Sequence, residues 1–287
     1  MHHAAVRSRG AVIALTGAAL FGFAANSLLC RTALGDGAID AASFTAIRIG
    51  AGAAVLAVIG WLRTRDDSAR AGSWSSGAAL FAYAAAFSFA YLRLTTATGA
   101  LLLFATVQMT MLGWAVLRGD RPRALEWLGV AIAASGLVVL VAPGLAAPDP
   151  IGAVLMIAAG IAWGVYSLRG RGATRPLAAT ADNFMRAVPL AALLLLTLPI
   201  VGGRCSLEGA LLAIASGALA SGLGYSLWYA ALPELAPSHA AIVQLSVPVI
   251  AAAGGALILG ESVTYRLVGA TAAILGGIAL ALWTKRR

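Results

Sequence analysis

The sequence predicts an all-α integral membrane protein: ten transmembrane helices, built as two inverted five-helix repeats around a central cavity. Three observations carry that expectation. First, 61% of the 287 residues are apolar and only 11% are charged, with a mean hydropathy of +0.90. A water-soluble domain carries roughly a quarter of its residues as charges, so this chain lacks the surface to stay in water. Second, the apolar residues fall into ten runs separated by short polar connections. Third, the two halves match one another at an offset of about 140 residues.

Crossing the hydrocarbon takes about 20 apolar residues at 1.5 Å per residue, and fewer where protein shields the helix. The runs are 10–29, 41–62, 76–92, 98–117, 126–141, 151–168, 180–200, 207–229, 238–259 and 266–283. The connections are too short for any soluble domain. A segment rich in proline and glycine, from Ala142-Pro143-Gly144 to Pro148-Asp149-Pro150, separates the fifth and sixth runs and divides the chain into repeats 1–145 and 146–287. The first run follows Arg7 and Arg9 and has the look of a cleavable signal. Its counterpart argues for a retained span: Phe23 aligns with Trp163, Ser27 with Ser167 and Leu28 with Leu168. The fourth and ninth runs pair in the same register, with Thr98 on Ser238, Ala100 on Ala240, Thr106 on Ser246 and Val107 on Val247. Gly129 and Gly136 of the fifth run match Gly269 and Gly276 of the tenth, and small residues of this kind mark close helix seams in lipid.

Charge sets the orientation. With the N-terminus in the cytoplasm, fourteen Lys and Arg residues fall on that side, against Arg31, Arg93, Arg204 and Arg266 on the other. Both termini are then cytoplasmic. Five spans per half force the second half to enter upside down, an arrangement that places a binding site at the repeat interface near the midplane. The net charge of +9 is spread over connections rather than gathered in one stripe, so the expected partners are the bilayer and a small-molecule substrate, not nucleic acid. A monomer is expected. Two cysteines and three histidines without metal-ligand spacing point to no cofactor and no metal.

No nucleophile–base set, metal-ligand motif or phosphate loop is present. All eleven acids lie in connections or at helix ends, which weakens a proton-driven mechanism and leaves a facilitative one open. Two arginines do enter the membrane: Arg48, seven residues into the second run, and Arg186, six into the seventh. Each is a gate, a contact for a substrate carboxylate, or a side chain snorkelling to the headgroups. Asn26, Gln108, Tyr166, Gln244 and Ser246 lie near mid-membrane. Tyr83, Phe87 and Tyr91 form a stripe at helical spacing, as do Ser221, Tyr225 and Tyr229. Trp163 sits mid-span, away from the interfacial belt where tryptophan is usual. An apolar cavity with neutral donors and ring faces suits a small zwitterion; helix packing and bonds to neighbouring backbone are the alternative for any one of these residues. Pro189 and Pro248 fall inside runs, as hinges or as static kinks.

With the duplication and the pattern Pro248, Gly260-Glu261, Gly269, Gly276 in view, the chain resembles the drug/metabolite transporter superfamily, EamA-type. The first half repeats the pattern as Gly119-Asp120, Gly129, Gly136, with Gln108 where the proline stands. The resemblance covers nearly the whole chain and is greatest to bacterial inner-membrane exporters of aromatic and other neutral amino acids. It implies a basket of ten helices, a central cavity and export by alternating access. The alternative within the class is proton-coupled export of another metabolite or a lipophilic drug. An enzyme lacks its reactive groups here, and a channel its ring of charges or carbonyls.

Overall fold

In hydrocarbon an apolar run can satisfy its own backbone only as a helix, and the chain folds accordingly. The computed structural model describes residues 8–63, 71–144, 147–171, 173–235 and 237–284. Arg7, Arg65, Arg70, Lys285, Arg286 and Arg287, counted above for orientation, lie outside the described residues. The first half holds α1 (Arg9–Gly35), α2 (Ala41–Arg63), α3 (Trp74–Tyr91), α4 (Thr96–Leu117) and α5 (Ala124–Val141). The second holds α6 (Pro150–Gly170), α7 (Pro176–Leu194), the short α8 (Leu198–Val201), α9 (Leu207–Ala215), α10 (Gly224–Ala231), α11 (Pro237–Gln244), α12 (Ser246–Ile258) and α13 (Tyr265–Thr284). Their starts are set by side-chain caps: Ser8, Ser73, Thr95, Asp149 and Ser206 each accept a bond from a backbone N–H three residues on.

Nine helical segments among the described residues are long and apolar enough to cross a membrane. The tenth expected span, α3, is the exception, and its composition explains why. Ser76, Tyr83, Ser88 and Tyr91 lower its apolar character, and all four are buried against protein rather than turned to lipid.

Three late spans are less regular than their apolar runs imply. The seventh run ends as α7, then a 3₁₀ turn (Leu195–Thr197) and α8, closed by Gly202 at φ +76°. The eighth is α9, a π-helical stretch (Ser216–Leu223) and α10. The ninth breaks between α11 and α12 at Leu245. Pro248 has no N–H to offer the Gln244 carbonyl, and the helix is interrupted there, with Leu245 N bonding Ile242 O at 3.0 Å. At Pro189, by contrast, α7 continues.

The closest packing joins helices from opposite halves. α13 lies along α5, α3 and α4 along α6, α2 along α7 and the π stretch, α1 against α10 and α12, and α4 against α12. The halves interleave rather than stand side by side. One end of the bundle is joined by Gly72 N to Asp182 Oδ2 (2.9 Å), Ser73 N to Asn183 Oδ1 (3.0 Å) and Arg169 to Ser75 and Ser76. The other is joined by Arg31 to Glu261, Arg93 to Asp149, and Arg266 to the carbonyls of Val139 and Ala142.

The seam between α5 and α13 differs from the sequence expectation in one respect. Gly129 and Gly136 do meet α13, but Gly269 and Gly276 face open space, and Gly277 makes the close approach. A Cβ on Gly129 would lie 2.5 Å from the Gly277 carbonyl, and one on Gly277 would lie 2.5 Å from the Gly129 carbonyl. Replacing Gly277 by leucine should therefore overpack the seam by about 1–3 kcal/mol and lower the melting midpoint of the detergent-solubilised protein by several degrees. Gly269→Ala should leave that midpoint unchanged or slightly raised; equal melting of the two variants would contradict the seam assignment.

Candidate functional site

Mid-bundle, six helices and the π stretch turn side chains toward one cavity. Phe23, Asn26 and Ser27 come from α1, Arg48 from α2, Tyr83 and Phe87 from α3, Leu103, Phe104 and Val107 from α4, Trp163 from α6, Ala220 and Ser221 from the π stretch, and Tyr225 from α10. The α3 residues share a face because they are four apart on a helix. Small residues let the helices close in: a Cβ on Gly217 would overlap the Arg48 carbonyl oxygen, and one on Gly160 would meet Thr106 Cβ at 2.6 Å. The enclosed space is contracted, about 20 Å³ for the centre of a water-sized sphere. One water needs about 10–15 Å³ by that measure, so this conformation holds no amino-acid-sized molecule.

Aromatic rings supply six of the side chains in the wall. Tyr83 meets Trp163 edge-on at 4.2 Å between centroids, and Trp163 stacks on Tyr225 at 5.7 Å with planes 21° apart. Tyr225 stacks in turn on Tyr229 at 6.1 Å. Phe23 closes against Tyr225 at 5.8 Å, and Phe87 packs on Tyr83 at 5.5 Å. Such arrangements suit the ring quadrupole and present both faces and edges to the space between them.

The polar groups form one chain ending on a cation. Ser216 Oγ donates to Asn26 Oδ1 (2.7 Å), Asn26 Nδ2 donates to the Tyr83 hydroxyl (3.4 Å), and Arg48 Nη2 donates to the same hydroxyl at 2.9 Å. Arg48 is only 3% exposed. Its guanidinium carbon lies 5.2 Å from the Tyr83 ring centre and 4.9 Å from that of Phe87. Burying such an ion costs several kcal/mol. A hydrogen bond from a charged group returns about 1.5–3 kcal/mol, and desolvated cation–π contacts about 2. That offsets much of the cost without a counter-ion. Among the described residues Arg48 Nη1 has no hydrogen-bond partner, nor has the Tyr225 hydroxyl.

The residues singled out in the sequence divide clearly. Trp163, Tyr83, Asn26, Tyr225, Phe87 and Arg48 come together at the cavity. Gln108, Gln244, Ser246, Tyr166 and Arg186 are not in its wall. On α4 the cavity takes 103, 104 and 107, and Gln108 lies about 40° beyond Phe104 around the helix and one turn further along it, at the edge of that arc. Gln244 ends α11 at the break, and Ser246 Oγ donates to the Val243 carbonyl at 2.6 Å. Tyr166 belongs to a separate buried chain: its hydroxyl donates to Thr180 Oγ1 (3.4 Å), which donates to the Tyr229 hydroxyl (3.3 Å). Arg186 differs from Arg48 in having an acid, Asp182, at 3.2 Å, and it lies over the Trp74 ring near one end of the bundle. Phe23, Phe104 and Ser216 complete the site without having been singled out for it. The signal for Phe23 was present, since it aligns with Trp163 in the internal register.

The Gly260-Glu261 pair has its own structural task. Gly260 takes φ +65°, a left-handed turn after α12 that a side chain would strain. That turn brings Glu261 across to α4, where both carboxylate oxygens accept from Thr96 N at 2.9 Å. Arg31 Nε approaches Glu261 Oε1 at 3.5 Å. A carboxylate at a helix N-terminus is also favoured by the helix dipole.

Comparisons with known proteins agree with this architecture. The model of the EamA-like transporter family matches residues 150–283. A protein of Pseudomonas aeruginosa, described as uncharacterized, is 55% identical over 270 residues, covering 93% of both chains. An inner membrane transporter of Escherichia coli, also described as uncharacterized, is 36% identical over 73 residues, 25% of this chain and 24% of its own. A solved structure, titled only as the crystal structure of a protein, superposes with a TM-score of 0.67 at 22% identity over 98% of this chain and 100% of that one.

Replacing Tyr83 by phenylalanine keeps the ring and removes the acceptor that Arg48 and Asn26 share. The expected loss is about 1–3 kcal/mol, read as a lower melting midpoint in detergent. An unchanged midpoint would show that the hydroxyl carries none of the guanidinium's support.

Proposed function

The chain belongs to the EamA-like transporter family, and from that premise we propose that it exports small carboxylate-bearing metabolites across a bacterial inner membrane, neutral and aromatic amino acids among them. One observation carries the substrate class: a guanidinium with a free N–H shares a cavity with the rings of Tyr83, Trp163 and Tyr225. A carboxylate fits the first and an apolar or aromatic body the second. Family resemblance supports the direction, and the excess of Lys and Arg on one side supports cytoplasmic termini.

Transport proceeds by alternating access between the two repeats. The contracted cavity must widen to load, and two spans are already interrupted where they could move at least cost: the break at Leu245 and the π stretch beside the cavity. No carboxylic acid lines the cavity among the described residues, which favours a facilitative carrier over a proton-coupled one.

Proteoliposomes holding the protein should exchange labelled phenylalanine or leucine, and Trp163→Ala should cut the flux by roughly tenfold. No flux across a panel of amino acids would remove the amino-acid assignment. Flux that rises steeply with an imposed pH gradient would replace the facilitative reading with proton coupling.

The native cysteines test orientation without engineering. Cys30 is buried and Cys205 exposed, the latter in the connection before α9. A membrane-impermeant maleimide should label Cys205 from the periplasmic side of intact cells with a permeabilised outer membrane. Labelling only after the inner membrane is broken would reverse the topology.

A further inference from the structure

We infer that Arg48 makes the cavity selective for organic anions of one net charge: a cargo with a carboxylate and a ring, but no ammonium, is held more tightly than the zwitterion of the same body. This rests on the cavity being the transport site.

Charge balance is the first ground. Arg48 is buried at the cavity wall, and among the described residues that wall contains no Asp or Glu. The acids nearest in kind are engaged at the bundle ends: Asp182 with Arg186, Glu261 with Arg31 and Thr96, and Asp149 with Arg93. The empty site therefore carries one positive charge in a low-dielectric interior, where an unpaired ion is unfavourable. A monoanion neutralises it. A zwitterion does not, because it brings as much positive charge as negative.

Hydrogen-bond supply is the second. A carboxylate finds donors: Arg48 Nη1 and the Tyr225 hydroxyl are both buried without partners. An ammonium needs acceptors, and the wall's better ones are already used. Asn26 Oδ1 accepts from Ser216, and the Tyr83 hydroxyl accepts from both Arg48 and Asn26. The α-ammonium of an amino acid is also attached one carbon from its carboxylate. Docking the carboxylate on Arg48 brings that ammonium within about 5 Å of the guanidinium, a like-charge contact that disfavours it. Two of the ring faces in the wall, those of Tyr83 and Phe87, are already covered by Arg48 itself.

Three labelled compounds with one phenyl ring separate the outcomes: phenyllactate, phenylalanine and phenethylamine. Equilibrium binding to the purified protein, followed by counterflow in proteoliposomes, should rank them in that order, with phenyllactate ahead of phenylalanine by about tenfold and phenethylamine unbound. Arg48→Gln should lose phenyllactate by about tenfold or more and erase the ranking, whereas Arg48→Lys, which keeps the charge, should preserve it at lower affinity. If Arg48→Gln does not insert, the wild-type ranking and Arg48→Lys decide alone. Phenylalanine bound as well as or better than phenyllactate would overturn the inference and leave the proposed function standing. Binding of none of the three would overturn both.

Discussion

A guanidinium can rest in the middle of a helix bundle in lipid only where protein side chains take its hydrogen bonds, and at Arg48 that support runs through a single phenol. Tyr83 accepts from Arg48 and from Asn26, and Asn26 is tied to Ser216. These four residues come from α2, α3, α1 and the π stretch, so one polar chain sets the spacing of four elements around the cavity. The backbone follows the same requirement. Gly217 lies against the Arg48 carbonyl with no room for a side chain, which brings the π stretch close enough for Ser216 to reach Asn26.

The remaining charges work differently because they lie at helix ends. Arg186, Arg31 and Arg93 each face a carboxylate, and those pairs are partly exposed, where an ion pair is worth about 0–1 kcal/mol. Their use is positional. Glu261 is the clearest instance, because it accepts from the first N–H of α4 and so holds the end of α12 against the start of a helix from the other half. Among the described residues Arg48 has no such partner, and of these arginines it alone is in the cavity wall. A cation left uncompensated by its own protein is a natural place for a ligand's charge.

Much of the architecture was legible from the sequence. Composition and ten apolar runs implied helices through a membrane, because lipid leaves the backbone few alternatives. The stripe Tyr83, Phe87, Tyr91 was readable as a cavity candidate from helical spacing and Trp163 from its mid-span place, and the structure brings Tyr83, Phe87 and Trp163 to one cavity. Gln108, Gln244 and Ser246 show where such reading stops. Polarity at mid-membrane says that a residue avoids lipid, but a bond to neighbouring backbone, as at Ser246, meets that need as well as a cavity does. On α4 only about 40° of rotation and one turn of rise separate Gln108 from Phe104 in the wall, and periodicity in a helix buried on most sides does not resolve so small a step.

The sequence by itself determined the solvent the protein lives in and its helical class, since both follow from local chemistry, hydropathy and backbone hydrogen bonding, and it pointed to the family. Only the tertiary structure decided which polar residues share a cavity, that the two halves interleave, and that Arg48 and Arg186, alike in sequence position, differ in environment. The first two outcomes depend on contacts between residues far apart in the chain, and the third does so at Arg48. Arg186 finds its carboxylate at helical spacing on its own helix, a pair the sequence shows; among the described residues Arg48 bonds a phenol from the next helix, a contact that no local pattern gives.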